Sequence, residues 1–232
     1  MKHILLALLL NLLWLGSSGA AVIVSDTFTR ANTSGTMEDA SGKGWRDATA
    51  NAEISDNKVQ CKVTQRCDAV GALASNITTS QANAVVSAKM LDGNAVTTFI
   101  LCRNQGNRSD YGVQYNGVAY VIIRRINGAE ATLATGASIN RLASSSVQIS
   151  CVDTEINGYE DGVLVVGPAT DSQWSAGVPA FYNAAFTNTG QQMFDNFAAC
   201  DAVAECSNFS ITGAASSAPG GPSGKSLLGV GN

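Results

Sequence analysis

The feature of this sequence that most constrains its fold is a series of tight-turn dipeptides between short runs of β-type residues. Asn-Gly and Asp-Gly pairs accept positive φ angles and close two-residue hairpins. After residue 20, no apolar stripe with the period of a helix persists for about three turns. The pattern predicts a meander of antiparallel strands with very little helix. The turn segments are Asp92-Gly93-Asn94, Asn116-Gly117, Asn127-Gly128, Asn157-Gly158 and Asp161-Gly162.

The runs around these turns are short and rich in β-branched and aromatic residues, as strands are. No linker divides the chain between residues 21 and 213, so we expect one all-β domain there, folded as an antiparallel two-sheet sandwich. The predicted strands are Val22–Phe28, Lys58–Val63, Ala69–Ser75, Ala84–Leu91, Val96–Arg103, Gly112–Tyr115, Ala119–Ile126, Ala131–Ala134, Ser146–Asp153, Val163–Val166, Val178–Asn183 and Gln192–Ala198.

Residues 1–20 have the pattern of a secretory signal peptide. Lys2 and His3 give a basic start, Ile4 to Leu15 is apolar apart from one Asn, and small residues lead to Ala20. The apolar run is shorter than the about 20 residues that cross a bilayer. We expect cleavage after Ala20 and a secreted or surface-displayed protein; the alternative is an uncleaved apolar arm on a virion component.

The C-terminal residues 214–232 form a second special segment, rich in Gly, Pro and Ser and ending in the apolar stretch Ser226–Val230. Its composition predicts a flexible tail. The apolar end is either disordered or a peptide that docks on a neighbouring molecule.

Six cysteines follow the export signal, and an even number in that context favours disulfides over free thiols. Sequence alone leaves several connectivities open. The spacing favours two short loops and one long-range bridge, and a zinc site is disfavoured because no CxxC or His accompanies the thiols. The predicted pairs are Cys61 with Cys67, Cys102 with Cys151, and Cys200 with Cys206.

Charge and histidine content exclude several function classes. Without residues 1–20 the chain has 13 Lys plus Arg against 18 Asp plus Glu, a net charge of −5, and no basic block, so nucleic acid is not an expected partner. The only histidine is His3, which excludes His-based nucleophile triads and His-ligated metals in the mature domain. No nucleotide-binding glycine motif is present.

Three groups of residues stand in a characteristic order along residues 22–199. The first opens the domain, the second lies in the central meander and the third closes it. They are Asp26-Thr27-Phe28-Thr29-Arg30 with Trp45 and Asn57-Lys58-Val59; Arg103, Tyr111 and Asn127-Gly128; and Asn157-Gly158, Asp161-Gly162-Val163, Thr170-Asp171-Ser172, Gly177-Val178-Pro179 and Phe194-Asp195-Asn196-Phe197.

This ordered set resembles the concanavalin A-like lectin/glucanase superfamily, and more narrowly the laminin-G-like jelly-roll modules of bacterial secreted and phage proteins. The chain departs from the pattern where Ala180 replaces a second Gly. The resemblance implies a concanavalin A-like jelly roll whose first and last strands pair, bringing Phe28, Phe194 and Phe197 together. It also implies a structural calcium near that junction, with Asp195 and Asp26 as ligands; no other cofactor is expected.

Catalysis is not expected, although the superfamily includes glucanases. Retaining hydrolysis needs two carboxyl groups about 5–5.5 Å apart, which alternate residues of a strand provide. Asp153 and Glu155 are the nearest such pair, on one strand face beside a turn. Nothing around them separates their pKa values into acid and base roles, so a solvated rim is the favoured interpretation and a divergent polysaccharide-degrading enzyme the weaker one.

The favoured hypothesis is a non-catalytic module that binds a glycan or cell-surface polysaccharide, with adhesion as its role. The alternative is a structural or decoration component of a virus or cell-surface particle, with neighbours contacted through the termini. Aromatic faces and hydrogen-bonding side chains recognise sugars, and period-2 alternation from an inward-facing Cys102 and Cys151 turns Phe99, Arg103, Gln148 and Ser150 outward. The predicted ligand contacts are Trp45, Arg103, Tyr111, Tyr120, Arg124, Gln148 and Trp174.

Overall fold

The structure is a computed structural model that describes residues 22–28, 45–46, 52–61, 72–73, 80–91, 98–141, 144–183 and 192–201. These ranges contain fifteen strands and no helix. The strands are β1 (Val22–Asp26), β2 (Trp45–Arg46), β3 (Ala52–Ser55), β4 (Lys58–Cys61), β5 (Ala72–Leu73), β6 (Ala84–Met90), β7 (Thr98–Asn104), β8 (Asp110–Tyr115), β9 (Ala119–Ile126), β10 (Ala129–Ser138), β11 (Ser145–Val152), β12 (Glu155–Glu160), β13 (Val163–Thr170), β14 (Val178–Asn183) and β15 (Gln192–Cys200).

The strands form two antiparallel sheets that pack face to face. The larger sheet has eight strands in the order β13-β12-β11-β6-β15-β4-β3, with β1 also paired to β15. The smaller sheet has five strands in the order β10-β9-β8-β7-β14, and β2 with β5 makes a separate two-stranded sheet. The predicted all-β, two-sheet antiparallel sandwich is therefore confirmed.

The core lies between the sheets, and alternation along each strand decides which side chains enter it. On β7 Ile100 and Cys102 face the core, and on β11 Val147 and Ile149 do the same. This is the face that the sequence predicts for them. Phe99 faces the other side of the smaller sheet, also as predicted, in a second buried apolar cluster. Burial of apolar surface is the main term that stabilises the sandwich.

The opening and closing strands pair, as the resemblance implies. β1 runs antiparallel to β15 from Val22 opposite Cys200 to Asp26 opposite Phe197. Phe28, Phe194 and Phe197 are each at most 1% exposed and belong to the main core. The Phe181 ring lies 4.6 Å from that of Phe194 and 5.9 Å from that of Phe197, so β14 closes the cluster from the opposite sheet.

The long-range disulfide links the two sheets. Cys102 on β7 bonds to Cys151 on β11, with a Cα–Cα distance of 6.4 Å and both residues fully buried. This pair confirms one of the three predicted bridges. Cys200 is disulfide-bonded, but its predicted partner Cys206 lies outside the described residues. The Cys61–Cys67 pair cannot be placed for the same reason.

Three of the predicted hairpin turns are confirmed. Asn127-Gly128 joins β9 to β10 with φ angles of 51° and 85°, and Asp161-Gly162 joins β12 to β13 with 48° and 80°. Asn116 opens the β8–β9 turn, where its Oδ1 accepts hydrogen bonds from the backbone N–H groups of Val118 and Ala119. The Asp92–Asn94 turn lies outside the described residues.

The fourth predicted turn is wrong, because Asn157-Gly158 lies inside strand β12. Asn157 pairs with Ser150, and Gly158 pairs with Ile149 on one side and Val166 on the other. A Cβ on Gly158 would lie 2.6 Å from Val166 Cγ1, so the glycine serves close packing and not a turn. The hairpin instead closes at Asp153-Thr154.

The predictions for the chain ends fall outside the described residues, which begin at Val22 and end at Asp201. This applies to the signal peptide, the tail and its apolar end. Among the residues that the structure describes, no helix is long and apolar enough to cross a membrane.

Candidate functional site

The outer face of the larger sheet carries a polar strip where β11 and β12 pair. The inward positions of β11 are apolar, so the alternate positions place Gln148 and Ser150 on the outer face. Cross-strand pairing sets Tyr159 beside Gln148 and Asn157 beside Ser150. Hydroxyl, amide and phenol groups therefore lie next to one another on a rigid two-strand platform.

The strip ends in a pocket at the β11–β12 turn. Its volume is about 450 Å³, within the range of small-ligand sites. Ser150 and Asn157 are more than nine-tenths buried and form the floor, whereas Asp153 and Glu155 are exposed at the rim. The described lining residues are Ser150, Val152, Asp153, Thr154, Glu155, Asn157 and Tyr159.

The side chains in the pocket constrain one another. Asn157 Nδ2 donates to Glu155 Oε1 at 2.6 Å, which fixes the orientation of both groups. Burial, and secondly the negative charge of Glu155, raise the pKa of the Tyr159 phenol above 10.0. Tyr159 is therefore a neutral hydroxyl at physiological pH, able to donate and to accept a hydrogen bond.

Arg103 supports the turn that forms the rim. It lies at the end of β7 with a positive φ of 51° and is 1% exposed. Its Nη2 donates to the carbonyls of Asp153 and Ala82 at 2.6 and 2.7 Å, and its Nη1 donates to that of Trp174 at 3.0 Å. Burial lowers the pKa of Arg103, while Tyr111 and Asp153 act in the opposite direction.

Asp171, just after β13, organises the neighbouring loop. Its carboxylate accepts hydrogen bonds from the Tyr111 hydroxyl at 2.5 Å, Arg124 Nη1 at 2.7 Å and the Gln173 backbone N–H at 2.8 Å. Its own backbone N–H donates to the Thr154 carbonyl at 3.0 Å, which ties this loop to the rim. Burial acts to raise the pKa of Asp171, but the three donors outweigh it and the pKa is lowered.

The aromatic pair Tyr111 and Trp174 completes this support. Their rings meet edge to face at 5.1 Å, and the Trp174 N–H of the backbone donates to the Tyr111 hydroxyl at 3.2 Å. Burial, followed by the hydrogen bond to Asp171, raises the pKa of Tyr111 to about 12. The loop after β13 is thus held by polar and aromatic contacts to β8, β9 and β7.

The structure brings four predicted ligand contacts together, but their side chains mainly stabilise the loop next to the pocket. Arg103, Tyr111, Arg124 and Trp174 converge on the Asp171 loop, and of these Arg103 and Tyr111 are at most 1% exposed. Gln148 lies on the polar strip, next to Tyr159.

The other two predicted ligand contacts lie elsewhere. Tyr120 is 1% exposed and belongs to the main core, so its side chain does not lie on an outer face. Odd positions of β9 face outward, and Tyr120 falls on an even one. Trp45 belongs to β2, and its side chain is outside the described part of the chain.

The two acids considered for catalysis are not alternate residues of one strand. Asp153 occupies the two-residue turn with a φ of 50°, and Glu155 begins β12 opposite Val152. The expected shared strand face is therefore wrong. Sequence reasoning also missed Asn157, Tyr159 and Asp171 as site residues; the alternation of β12 would have identified the first two, had its middle not matched a turn dipeptide.

The two carboxylates predicted to hold calcium lie on opposite faces of the larger sheet. Asp26 pairs with the core residue Phe197, so it shares the inner face. Asp195 follows the core residue Phe194 and pairs with Lys89, so it faces outward. No group of three or more metal-ligating side chains converges within the described ranges. The placement does not fit one ion held by both carboxylates, and the calcium site stays a sequence prediction.

No protein-family model and no curated protein matches this sequence. Solved structures with a similar fold include the carbohydrate binding module CBM66 from Bacillus subtilis, at 16% identity and a TM-score of 0.53, covering 68% of this chain and 96% of that one. A protein of unknown function with a galectin-like fold from Bacillus subtilis aligns at 9% identity and a TM-score of 0.50, covering 80% and 98%. At these identities the likeness shows the fold alone: this chain is a jelly-roll β-sandwich.

Proposed function

We propose that this chain is a non-catalytic carbohydrate-binding module whose ligand lies in the pocket at the β11–β12 turn. The observation that carries the proposal is the lining of that pocket. Amide, hydroxyl, carboxylate and phenol groups surround a volume of about 450 Å³ on the outer face of the larger sheet. Sugars present closely spaced hydroxyls that both donate and accept hydrogen bonds, and the partly buried Tyr159 offers a ring to them.

The fold supports the proposal. A structure of the same fold is named as a carbohydrate binding module, and nearly all of it aligns with this chain. Membership of the concanavalin A-like lectin superfamily, with its laminin-G-like branch, is part of the proposal and rests on the sequence motifs. Export is also part of it, since the signal-like N-terminus and the Cys102–Cys151 disulfide both suit an oxidising compartment.

The absence of catalysis is proposed from the arrangement of the acids. Glu155 accepts a hydrogen bond from Asn157. Asp153 lies in the turn, where its backbone carbonyl accepts a hydrogen bond from Arg103, which is 1% exposed. Two catalytic carboxyl groups must flank a scissile bond, whereas Asp153 lies within the turn and Glu155 begins the strand that follows it.

A glycan array followed by calorimetry on the full-length chain tests the proposal. We expect binding to at least one polysaccharide, and Tyr159→Ala should weaken it about tenfold through loss of ring contact and hydroxyl. Tyr159→Phe should retain part of the affinity. Val163→Ala is the matched control, because Val163 is 66% exposed on the neighbouring strand and does not line the pocket.

Two results would contradict the proposal. Binding that is unaffected by Tyr159→Ala, with the variant shown by circular dichroism to be folded, would remove the pocket as the site. Failure to bind any glycan, together with stable self-assembly, would instead favour a structural component of a particle.

A further inference from the structure

We infer that the pocket selects neutral polysaccharides and discriminates against glycans that carry carboxylate or sulfate groups. This inference rests on the proposed function and specifies its ligand class. It follows from where the described charged groups lie relative to the pocket, in four steps.

The rim of the pocket is negatively charged. Asp153 and Glu155 are both exposed lining residues, and no Lys or Arg is among the lining residues that the structure describes. The contact of Glu155 within the pocket is the uncharged amide of Asn157. Its charge is therefore oriented but not neutralised.

Arg103, a cation that contacts the turn at the rim, does not reverse this sign. Its charge acts on Asp153 from behind the turn, and its Nε, Nη1 and Nη2 each donate to a backbone carbonyl. With 1% exposure it has no surface to offer a bound anion. If the positive charge of Arg103 is taken to cancel the negative charge of Asp153, the negative charge of Glu155 still remains at the rim.

Two other cations in the described part of the chain, Arg124 and Lys89, do not neutralise the rim either. Arg124 is ion-paired to Asp171 at 2.7 Å. Lys89 lies on the same outer face, but it pairs with Ser146, six residues along β11 from Val152. At the rise of a strand that separation is about 20 Å, so the attraction of Lys89 for an anion at the rim is about a third of the repulsion from a carboxylate about 6 Å away. Its other cross-strand neighbour is Asp195.

A neutral sugar meets no penalty at this rim. Its hydroxyls donate to the carboxylates of Asp153 and Glu155 in charge-assisted hydrogen bonds. A uronate at the same place puts a third negative charge beside them. At a separation of about 6 Å and an effective dielectric of about 40, one such repulsion corresponds to about tenfold in the binding constant.

The experiment compares matched polysaccharides. Neutral glucan, galactan and mannan, and the same polymers oxidised at C6 to uronates, are titrated by affinity electrophoresis and calorimetry in 20 mM and 500 mM NaCl. We expect the neutral polymer that binds to exceed its uronate form at least about tenfold in 20 mM salt, and the ratio to shrink in 500 mM as repulsion is screened.

A charge-removing variant ties the effect to the rim. Glu155→Gln retains an oxygen for Asn157 and should reduce the neutral-to-uronate ratio at least about threefold. Glu130→Gln, an equal charge change on an exposed residue of β10, should leave the ratio unchanged. A uronate bound as tightly as its neutral parent, or an equal ratio in Glu155→Gln, would overturn the selectivity alone. No binding to any member of the series would overturn the proposed function as well.

Discussion

At the scale of single residues, the carboxylate of Asp171 accepts three hydrogen bonds in the loop that supports the candidate site. Tyr111, Arg124 and the Gln173 backbone all donate to it, and its side chain is 10% exposed. Asp171→Asn keeps the size of the side chain but replaces one accepting oxygen by an NH2 group. That NH2 group then faces one of the three donors that the carboxylate had accepted from. We expect the free energy of unfolding to fall by about 1–3 kcal/mol, measured by urea denaturation at pH 7.

The same residue gives a pH dependence whose sign follows from its lowered pKa. A carboxylate with a folded pKa below its ordinary value of 3.8 stabilises the protein at higher pH. That contribution is lost as the pH falls through the folded pKa. The difference between wild type and Asp171→Asn should thus be full at pH 7 and shrink below about pH 4. A difference that is constant from pH 7 to pH 3 would contradict the assigned role.

At the scale of elements, strand β12 shows how close packing overrides local sequence preference. A Cβ on Gly158 would lie 2.6 Å from Cγ1 of Val166, on the adjacent strand β13, and 2.8 Å from Cγ2 of Val113, on β8 of the opposite sheet. Gly158→Ala should therefore lower stability by about 1–3 kcal/mol through overpacking. The double variant with Val166→Ala should recover part of the loss, because it removes one of the two contacts. Thermal and urea unfolding of wild type, Gly158→Ala, Val166→Ala and the double variant measure this, and equal stability of Gly158→Ala and wild type would refute it.

The strands themselves are largely predictable from the sequence, because alternation and Asn-Gly or Asp-Gly turns are local signals. β9 matches its prediction at both ends, and the turn after it is the predicted Asn127-Gly128. β10 and β13 are edge strands that extend further than predicted, because their additional residues are small or polar and carry no apolar alternation. A Cβ on Gly136 of β10 would overlap the Val165 carbonyl of β13. Such contacts between strands of different sheets cannot be predicted from the alternation of residues within one segment.

At the scale of the whole molecule, the candidate site depends on contacts between residues far apart in the chain. Tyr111 and Asp171 are 60 positions apart, and Arg103 and Asp153 are 50 apart. The sequence predicts Arg103, Tyr111, Arg124 and Trp174 as ligand contacts by residue type, and type does not distinguish an exposed binding group from a buried support. It predicts the outward face of Gln148 correctly, since that requires only the period of one strand.

The Cys102–Cys151 disulfide provides the last prediction, because it joins the two sheets through the centre of the sandwich. It closes a loop with a sequence separation of 49, so its removal restores considerable freedom to the unfolded chain. We expect the double variant Cys102→Ala and Cys151→Ala to lose about 2–4 kcal/mol of unfolding free energy, measured by urea denaturation. Alanine is preferred to serine, because both positions are fully buried and a hydroxyl there would lack a partner. If this bridge provides most of the connection between the sheets, the double variant should also release its ligand at a lower urea concentration than the wild-type protein does. Unchanged stability would mean that sheet packing alone, through the shared apolar cluster, fixes the relative position of the sheets.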